Sequence, residues 1–319
     1  MPLIDMSLDK LKVYQGVNPK PADFDEFWDR SLAEMRAIDP QPTFVKKETG
    51  SRIADCYELT FTSTKNARIY AKFLRPKSFS GKIPAVLHFH GLSGCSDSWK
   101  SLYSYVSQGY VVASLDCRGQ GGYSQDVGGS AGTTYTTPFV RGLDGPPEGL
   151  YCRDLFLDTA MLARIIMELD EVDETRVGVF GGSQGGALSI ACAALVPEIK
   201  LCAPIYPYLS DYRRVWNMDQ DKGAYEGLRY FFRHFDPRHE REDEIFEKLG
   251  YIDIQFLAPR IRAKVLMGTG LMDTTCPPST QFAAYNKITS EKDVKIYPDY
   301  AHENLTGHDD LVFDFLATL

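Results

Sequence analysis

The chain has 319 residues, of which 44% are hydrophobic and 24% charged, proportions typical of a globular protein with a large buried core. Its net charge of −8 argues against a nucleic-acid surface, which needs a basic stripe. No apolar run approaches the roughly 20 residues that cross a bilayer, so we expect neither a nucleic-acid nor a membrane partner.

The first predicted elements form an N-terminal extension. Residues 21–37 place large apolar side chains at helical spacing after a proline, which predicts an amphipathic helix. Two strand-like runs, 54–63 and 67–76, flank a polar turn and predict an antiparallel hairpin. Residues 1–80 are therefore expected to hold a helix and leading antiparallel strands.

Short apolar runs alternate with helical segments from residue 83 onwards. The runs, typical of buried parallel strands, span 83–91, 110–119, 176–183, 200–207, 263–270 and 294–300. The helical segments span roughly 98–107, 149–171, 184–195, 279–288 and 308–317. This alternation predicts a single α/β domain over residues 1–319, with a mostly parallel central sheet flanked by helices.

One interval, 209–262, interrupts the alternation. It is rich in aromatic and charged residues and contains no convincing parallel strand. We predict a helical insertion after the fourth parallel strand, placed to form a cap over the active site.

The strongest functional motif is Gly181-Gly182-Ser183-Gln184-Gly185, which fits G-x-S-x-G. It follows an apolar strand and precedes a helix, the context of the nucleophile elbow in the α/β-hydrolase fold. Side chains at positions 181 and 185 would collide with neighbouring backbone in so tight a turn, which explains the glycines. Ser183 is the predicted nucleophile; the alternative is a glycine-rich turn that only links strand to helix.

A serine nucleophile needs a general base, and His302 is the predicted one. It follows the last predicted strand, where a strand-end loop carries catalytic groups in this fold. His234 and His239 lie in the charged insertion and are expected to be solvated. His308 begins the last helix, where we expect it to cap the helix or face solvent.

The base needs an acid that orients it, and Asp273 is the predicted one. It follows the fifth parallel strand, which matches the order Ser, Asp, His expected in this fold. Asp299, close to His302 in sequence, is the alternative acid. Ser183, Asp273 and His302 thus form the predicted catalytic triad.

The oxyanion hole needs two main-chain donors. The N–H of Gln184 is one, and the loop after the first parallel strand supplies the other, which we assign to Leu92. The predicted walls of a small acyl pocket are Leu92, Gln184, Thr275, Cys276 and Pro277. Because proline stiffens the 276–278 turn, we expect this pocket to accept only short acyl groups.

No metal or cofactor is predicted. His88 and His90 share one strand face, which invites a metal site, but without a nearby carboxylate pair a structural role is favoured. The seven cysteines form no C-x-x-C pair, and residues 1–20 lack the pattern of a secretory signal. We therefore expect free thiols in a reducing cytoplasm.

Three motifs in order, R-G-Q at 118–120, G-x-S-Q-G at 181–185 and H-E at 302–303, resemble the acetyl xylan esterase and cephalosporin C deacetylase family of carbohydrate esterases. The resemblance runs the whole chain. It implies a deacetylase acting on small substrates such as acetylated xylo-oligosaccharides and cephalosporin C. It also implies a cytoplasmic homohexamer, a dimer of trimers whose active sites open on an internal cavity.

The resemblance assigns the same triad and the same two oxyanion donors as the residues themselves do. Many family members carry tyrosine where this chain has Leu92, so one wall of the acyl pocket differs. We expect Arg118 to hold neighbouring loops through ion pairs and Glu303 to hold its own loop. Gln120 is given no chemical role.

Other functions remain open at this point. A general short-chain carboxylesterase would share every motif. A prolyl-oligopeptidase-like peptidase shares the elbow, but only about 80 residues precede the first parallel strand, too few for a propeller. A non-catalytic binding protein usually loses the serine or the histidine, and this chain keeps both.

Overall fold

The computed structural model describes residues 4–128 and 137–319. One sheet contains nine strands of the described chain. They are β1 (Thr43–Lys47), β2 (Ala54–Thr62), β3 (Arg68–Pro76), β4 (Ile83–Phe89), β5 (Val111–Leu115), β6 (Val172–Gly182), β7 (Leu201–Ile205), β8 (Lys264–Gly270) and β9 (Lys292–Tyr297).

The strands lie in the order β1-β2-β3-β5-β4-β6-β7-β8-β9. The pairs β1–β2, β2–β3 and β3–β5 are antiparallel, and every pair from β5 through β4 to β9 is parallel. The predicted α/β class with a mostly parallel sheet is confirmed, as is the leading hairpin of β2 and β3.

Two strand assignments differ from the prediction. β1 was not predicted, because it is an edge strand with mostly exposed side chains and carries no apolar alternation. β6 begins at Val172, four residues before the predicted run, because the polar, partly exposed residues 173–176 separate the buried Val172 from the apolar run. The helix before it accordingly ends at Met167 rather than near residue 171.

Helices cover both faces of the sheet. They are α1 (Leu8–Leu11), α2 (Phe24–Arg36), α3 (Trp99–Val106), α4 (Tyr151–Met167), α5 (Gln184–Leu195), α6 (Tyr212–Asn217), α7 (Glu226–Phe235), α8 (Glu242–Gly250), α9 (Ile254–Leu257), α10 (Pro278–Lys287) and α11 (His308–Leu316). Within the described ranges, none of these helices has the length and apolar character needed to cross a membrane.

Each buried strand contributes to two cores. In β4, Ala85, Leu87 and Phe89 belong to the core beneath α2, α4 and α5, whereas Val86 belongs to the core beneath α3 and α11. Burial on both faces explains why this strand reads as a continuous apolar run. Because β4, β6, β7 and β8 are parallel, their carboxyl ends lie at one edge of the sheet, where the predicted site residues lie.

The elements described within 209–262 are helices: α6 to α9 and two short 3₁₀ turns. This insertion is fastened to the N-terminal segment through the buried carboxylate of Asp211. That carboxylate accepts hydrogen bonds from the Tyr14 hydroxyl at 2.8 Å and from the N–H groups of Val17 and Asn18 at 3.0 and 2.8 Å.

Candidate active site

Ser183 stands on a strained turn between β6 and α5. Its backbone angles, φ 57° and ψ −118°, lie in a region that residues other than glycine rarely adopt. A Cβ atom at Gly181 or Gly185 would lie 2.3 or 1.9 Å from the carbonyl oxygen of Phe89, so neither position admits a side chain. The turn is held by the N–H of Ser183, which donates to the carbonyl of Ile205 at 2.9 Å.

The structure brings the three predicted triad side chains together. His302 Nε2 lies 3.0 Å from Ser183 Oγ, and His302 Nδ1 lies 2.8 Å from Asp273 Oδ2. A neutral imidazole protonated at Nδ1 satisfies both contacts, since it donates to the carboxylate and accepts from the serine hydroxyl. This is the geometry that a general base needs to take a proton from the nucleophile.

Asp273 is fully buried, and its charge is compensated by hydrogen-bond donors. Oδ1 accepts from the N–H groups of Thr275 and Cys276, both at 2.8 Å. Oδ2 accepts from Gln281 Nε2 at 3.3 Å in addition to the imidazole. Four donors around one carboxylate satisfy its oxygens and fix the orientation in which it holds His302.

The other histidines that follow Ser183 in the chain have different surroundings from His302. His234 and His239 are exposed, and their Nδ1 atoms face Tyr230 and Glu242 respectively, as a solvated role predicts. His308 is buried, against the expectation that it would cap a helix or face solvent, because it packs over Gly268 with Nδ1 3.2 Å from the Tyr297 hydroxyl. Burial lowers the pKa of His308 to about 4.

Asp299 is exposed. Within the described residues it makes no hydrogen bond or ion pair, whereas His302 bonds Asp273. The geometry therefore favours Asp273 over Asp299 as the partner of the imidazole.

Two main-chain N–H groups, one directly after Ser183 and one in the loop after β4, have no acceptor in the protein. Gln184 is the first residue of α5, and Leu92 lies in the loop after β4. Among the described residues, the N–H groups of Leu92 and Gln184 donate no hydrogen bond to the protein. Unpaired N–H groups at these two positions suit an oxyanion hole, and the α5 dipole adds positive potential next to Ser183.

Gln120, to which the sequence analysis gave no chemical role, links the loop that carries Leu92 to the first residue of α5. Its side-chain amide pairs with that of Gln184 at 2.8 and 3.1 Å, and its Oε1 accepts from the N–H of Ser93 at 2.8 Å. Its Nε2 also donates to the Tyr151 hydroxyl at 3.0 Å. In the sequence, only the position of Gln120 in the R-G-Q motif indicated a role for it. Its pairing with Gln184 depends on tertiary structure and could not be predicted.

Arg118 and Glu303 make the loop-fixing contacts expected of them. The buried Arg118 guanidinium donates from Nε and Nη2 to Asp158 at 2.6 Å each. Glu303 Oε1 accepts from the N–H of Ala301 at 2.9 Å, beside His302.

His88 and His90 are engaged in hydrogen bonds with the protein. His90 Nε2 accepts from the N–H of Cys117 at 2.9 Å and Nδ1 faces the carbonyl of Gly91 at 2.7 Å. His88 Nδ1 lies 2.8 Å from Ser114 Oγ, and burial lowers the pKa of His88 to about 4. These contacts agree with the structural role favoured from the sequence.

In the described part of the chain, one group of three residues could hold a metal: Asp273, Cys276 and His302. Because the Asp273 carboxylate and the His302 imidazole already bond each other at 2.8 Å, an ion there would have to disrupt that contact.

A cavity of about 400 Å³ contains Ser183 and His302. Its other walls are His88, Phe89, His90, Gly91, Cys95, Asp97, Gly182 and Tyr206. No residue of 209–262 lines this cavity, and the insertion packs against the N-terminal segment, α5 and α10. That it forms a cap over the active site stays a prediction.

The five predicted acyl-pocket residues do not line this cavity either. Cys276 is buried, and burial raises the pKa of its thiol. Gln184 is buried next to the nucleophile, whereas Leu92 and Thr275 are half-buried, and Pro277 is buried just before α10. Their role in binding an acyl group stays a prediction.

Tyr206 is a site residue that sequence reasoning missed. Its ring lies 4.7 Å from the His302 ring, and its φ of 34° is strained for a residue with a side chain. Its place directly after β7, at the carboxyl end of a parallel strand, was the signal available in the sequence.

Comparison with known proteins finds the same family that the sequence motifs resemble. A model of the acetyl xylan esterase family (AXE1) matches residues 1–319. Among curated proteins, acetyl esterase Axe7A of Xylanibacter ruminicola is 28% identical over 306 residues, which are 94% of this chain. The chain spans 66% of the length of that relative.

Two solved structures are similar over nearly their full length. Acetyl xylan esterase 1 from Thermoanaerobacterium sp. JW/SL YS485 superposes with a TM-score of 0.97 at 52% identity, covering 99% of each chain. The acetyl xylan esterase from Paenibacillus sp. R4 gives a TM-score of 0.93 at 31% identity, covering 98% of this chain and 99% of that one.

Proposed function

The chain belongs to the acetyl xylan esterase family, a family of carboxylic ester hydrolases, and we propose that it removes acetyl groups from small substrates such as acetylated xylo-oligosaccharides. The observation that carries this proposal is the hydrogen-bonded series Asp273–His302–Ser183, with distances of 2.8 and 3.0 Å, at a nucleophile elbow with two free N–H groups. These parts suffice for acyl transfer through serine.

In the acylation step, Ser183 Oγ attacks the acetyl carbonyl carbon while His302 Nε2 takes the hydroxyl proton. The carbonyl oxygen becomes an oxyanion that accepts hydrogen bonds from the N–H groups of Leu92 and Gln184. Asp273 stabilises the imidazolium that forms. Collapse of the tetrahedral intermediate breaks the ester bond, and His302 gives the proton to the departing alcohol.

In the deacylation step, water replaces the alcohol. His302 takes a proton from the water as its oxygen attacks the acetyl–enzyme carbonyl, and the same two N–H groups stabilise the second oxyanion. Proton return from His302 to Ser183 Oγ releases acetate and restores the starting state.

The family resemblance supports finer proposals as well. Cephalosporin C is a second acetylated substrate, the protein works in the cytoplasm, and the assembly is a homohexamer. Sedimentation equilibrium tests the last of these: a hexamer gives about six times the 35.8 kDa mass of the chain, and a monomeric mass contradicts it.

A substrate panel separates the proposed function from a general short-chain carboxylesterase and a prolyl-oligopeptidase-like peptidase. We expect kcat/KM to be highest for acetyl among p-nitrophenyl esters and to fall steeply beyond about four carbons. The reason is that a badly placed methylene costs roughly 1–3 kcal/mol in a stiff pocket. A maximum at hexanoyl or longer contradicts an acetyl esterase, and efficient cleavage of a peptide amide indicates a peptidase.

A further inference from the structure

The side chain of Gln281, in the first turn of α10, is fully buried against the loop that carries the proposed acid. Its Nε2 donates to Asp273 Oδ2 at 3.3 Å and to the carbonyl oxygen of Cys276 at 2.6 Å. His302 Nδ1 lies 2.8 Å from the same carboxylate oxygen. One amide thus ties the acid to the loop that follows it and shares an acceptor with the base.

The amide of Gln281 can face the acid in only one orientation. Both of its neighbours, a carboxylate oxygen and a carbonyl oxygen, are acceptors, so the nitrogen must point towards them and the oxygen away. In that orientation Oε1 is buried and finds no donor among the described residues. Because an unpaired buried acceptor destabilises a fold, stability alone does not explain a glutamine here, and a role at the acid does.

The helix that carries Gln281 is itself held by the N-terminal segment. Near the start of α10, the N–H of Ser279 donates to Asp5 Oδ2 at 2.7 Å. Near its end, Asn286 Nδ2 donates to the carbonyl oxygens of Leu11 and Tyr14 at 2.8 and 2.7 Å. Restraints at both ends fix the helix, so its first turn presents the amide to the acid in a constant position.

The shared oxygen lets Gln281 act on the base through the acid. Oδ1 of Asp273 is held by two main-chain N–H groups, whereas Oδ2 is held by Gln281 and meets the imidazole of His302. The amide therefore keeps Oδ2 in line with the imidazole. It also offsets part of the negative charge on that oxygen, so a carboxylate without this donor attracts an imidazolium more strongly.

We propose that Gln281 is a positioning residue for the reaction: it fixes the Asp273 carboxylate and moderates the attraction between that carboxylate and the imidazolium of His302. The inference rests on the proposed function, because it assigns Gln281 a part in the same acyl transfer. It involves no contact with substrate, since Gln281 does not line the cavity that contains Ser183.

The test is Gln281→Met, which keeps the length of the side chain and removes its amide. With p-nitrophenyl acetate we expect kcat to fall about 5- to 50-fold, because a slight misplacement of catalytic groups is costly, and KM to change little. The acid limb of the pH profile of kcat/KM should move up by about 0.5 to 1 pH unit, because the imidazolium is held more strongly. Two titratable neighbours of the pair, Cys276 and Tyr206, do not contribute to this limb, since burial raises the pKa of each.

Thr280→Val is the matched control. It removes a buried hydrogen bond in the same turn of α10, from Thr280 Oγ1 to the carbonyl oxygen of Pro277 at 2.7 Å. It should lower the melting temperature and leave kcat and the acid limb unchanged. If Gln281→Met folds poorly, Gln281→Asn replaces it, because its amide is one methylene too short to reach Oδ2 and should give the same two changes.

A folded Gln281 variant with an unchanged kcat, or with an acid limb that stays in place or moves to lower pH, overturns the inference while the proposed function stands. A Thr280→Val enzyme that changes as much as the Gln281 variant also overturns it, because general loosening of α10 is then the cause. Failure of the unmodified enzyme to hydrolyse acetyl esters overturns the proposed function itself.

Discussion

The link between Gln120 and Gln184 gives a sharp test of how the oxyanion hole is built. Gln120→Met keeps the length of the side chain and removes its amide. The substitution deletes the pairing with Gln184 at 2.8 and 3.1 Å, the bond to the N–H of Ser93 at 2.8 Å and the bond to Tyr151 at 3.0 Å. The loop that carries Leu92 and the start of α5, which supply the proposed oxyanion donors, then lose a restraint.

The expected magnitude follows from what the substitution leaves in place. Deleting an oxyanion donor outright costs about 10²–10³ in kcat. Gln120→Met displaces two donors without removing either, so we expect kcat to fall about 10- to 100-fold. KM should change little, because the donors act mainly on the transition state. Loss of neutral hydrogen bonds should also lower the free energy of unfolding by about 1–3 kcal/mol.

Steady-state kinetics with p-nitrophenyl acetate and urea denaturation measure the two effects separately. Gln120→Glu keeps the acceptor for Ser93 but loses the donors, so its kcat should fall between those of Gln120→Met and the unmodified enzyme. Gln125→Met is the control, since Gln125 is exposed and its Oε1 accepts only from the N–H of Arg68. If Gln120→Met lowers the unfolding free energy and leaves kcat unchanged, the linkage of Gln120 to the oxyanion hole is refuted.

Three further predictions concern the elbow, acid stability and thiol exposure. Gly185→Ala should abolish activity and lower stability, because its Cβ would lie 1.9 Å from the Phe89 carbonyl oxygen; normal unfolding with full activity contradicts this. The pKa of buried His308 is lowered to about 4, so the unfolded chain binds more protons below the ordinary histidine pKa of about 6.5. Stability should therefore decline as the pH falls from about 6.5 to 4, and the decline should be smaller in His308→Gln but unchanged in His234→Gln, as thermal melts can measure. Finally, a thiol reagent should label Cys95 quickly in the native protein and the six buried cysteines only after unfolding; rapid native labelling of a Cys95→Ser variant contradicts this.

The fold was predictable wherever burial imposes a pattern. Strands such as β4, covered by helices on both faces, read as apolar runs between turn residues, and the helices between them follow from the alternation. The edge strand β1 was not predicted, because four of its five residues are exposed and its sequence shows no alternation of apolar and polar residues. Residues 173–176 of β6 were not predicted as strand, because they are polar and partly exposed.

The candidate site was predictable where chain order determines position. Ser183, Asp273 and His302 each follow a parallel strand, and strands of one sheet end at a common edge, so distance in sequence did not matter. Gln120 and Tyr206 could not be assigned, because their roles come from contacts across loops.

The central claim is acetyl transfer through Ser183, and one measurement tests it most directly: kcat on an acetylated xylo-oligosaccharide for the unmodified enzyme, Ser183→Ala and the surface control Ser107→Ala, with acetate release as the readout. We expect Ser183→Ala to lower kcat by roughly 10⁴-fold or more with an unchanged circular dichroism spectrum, and Ser107→Ala to match the unmodified enzyme. If folded Ser183→Ala retains a tenth or more of the activity, the serine mechanism is wrong.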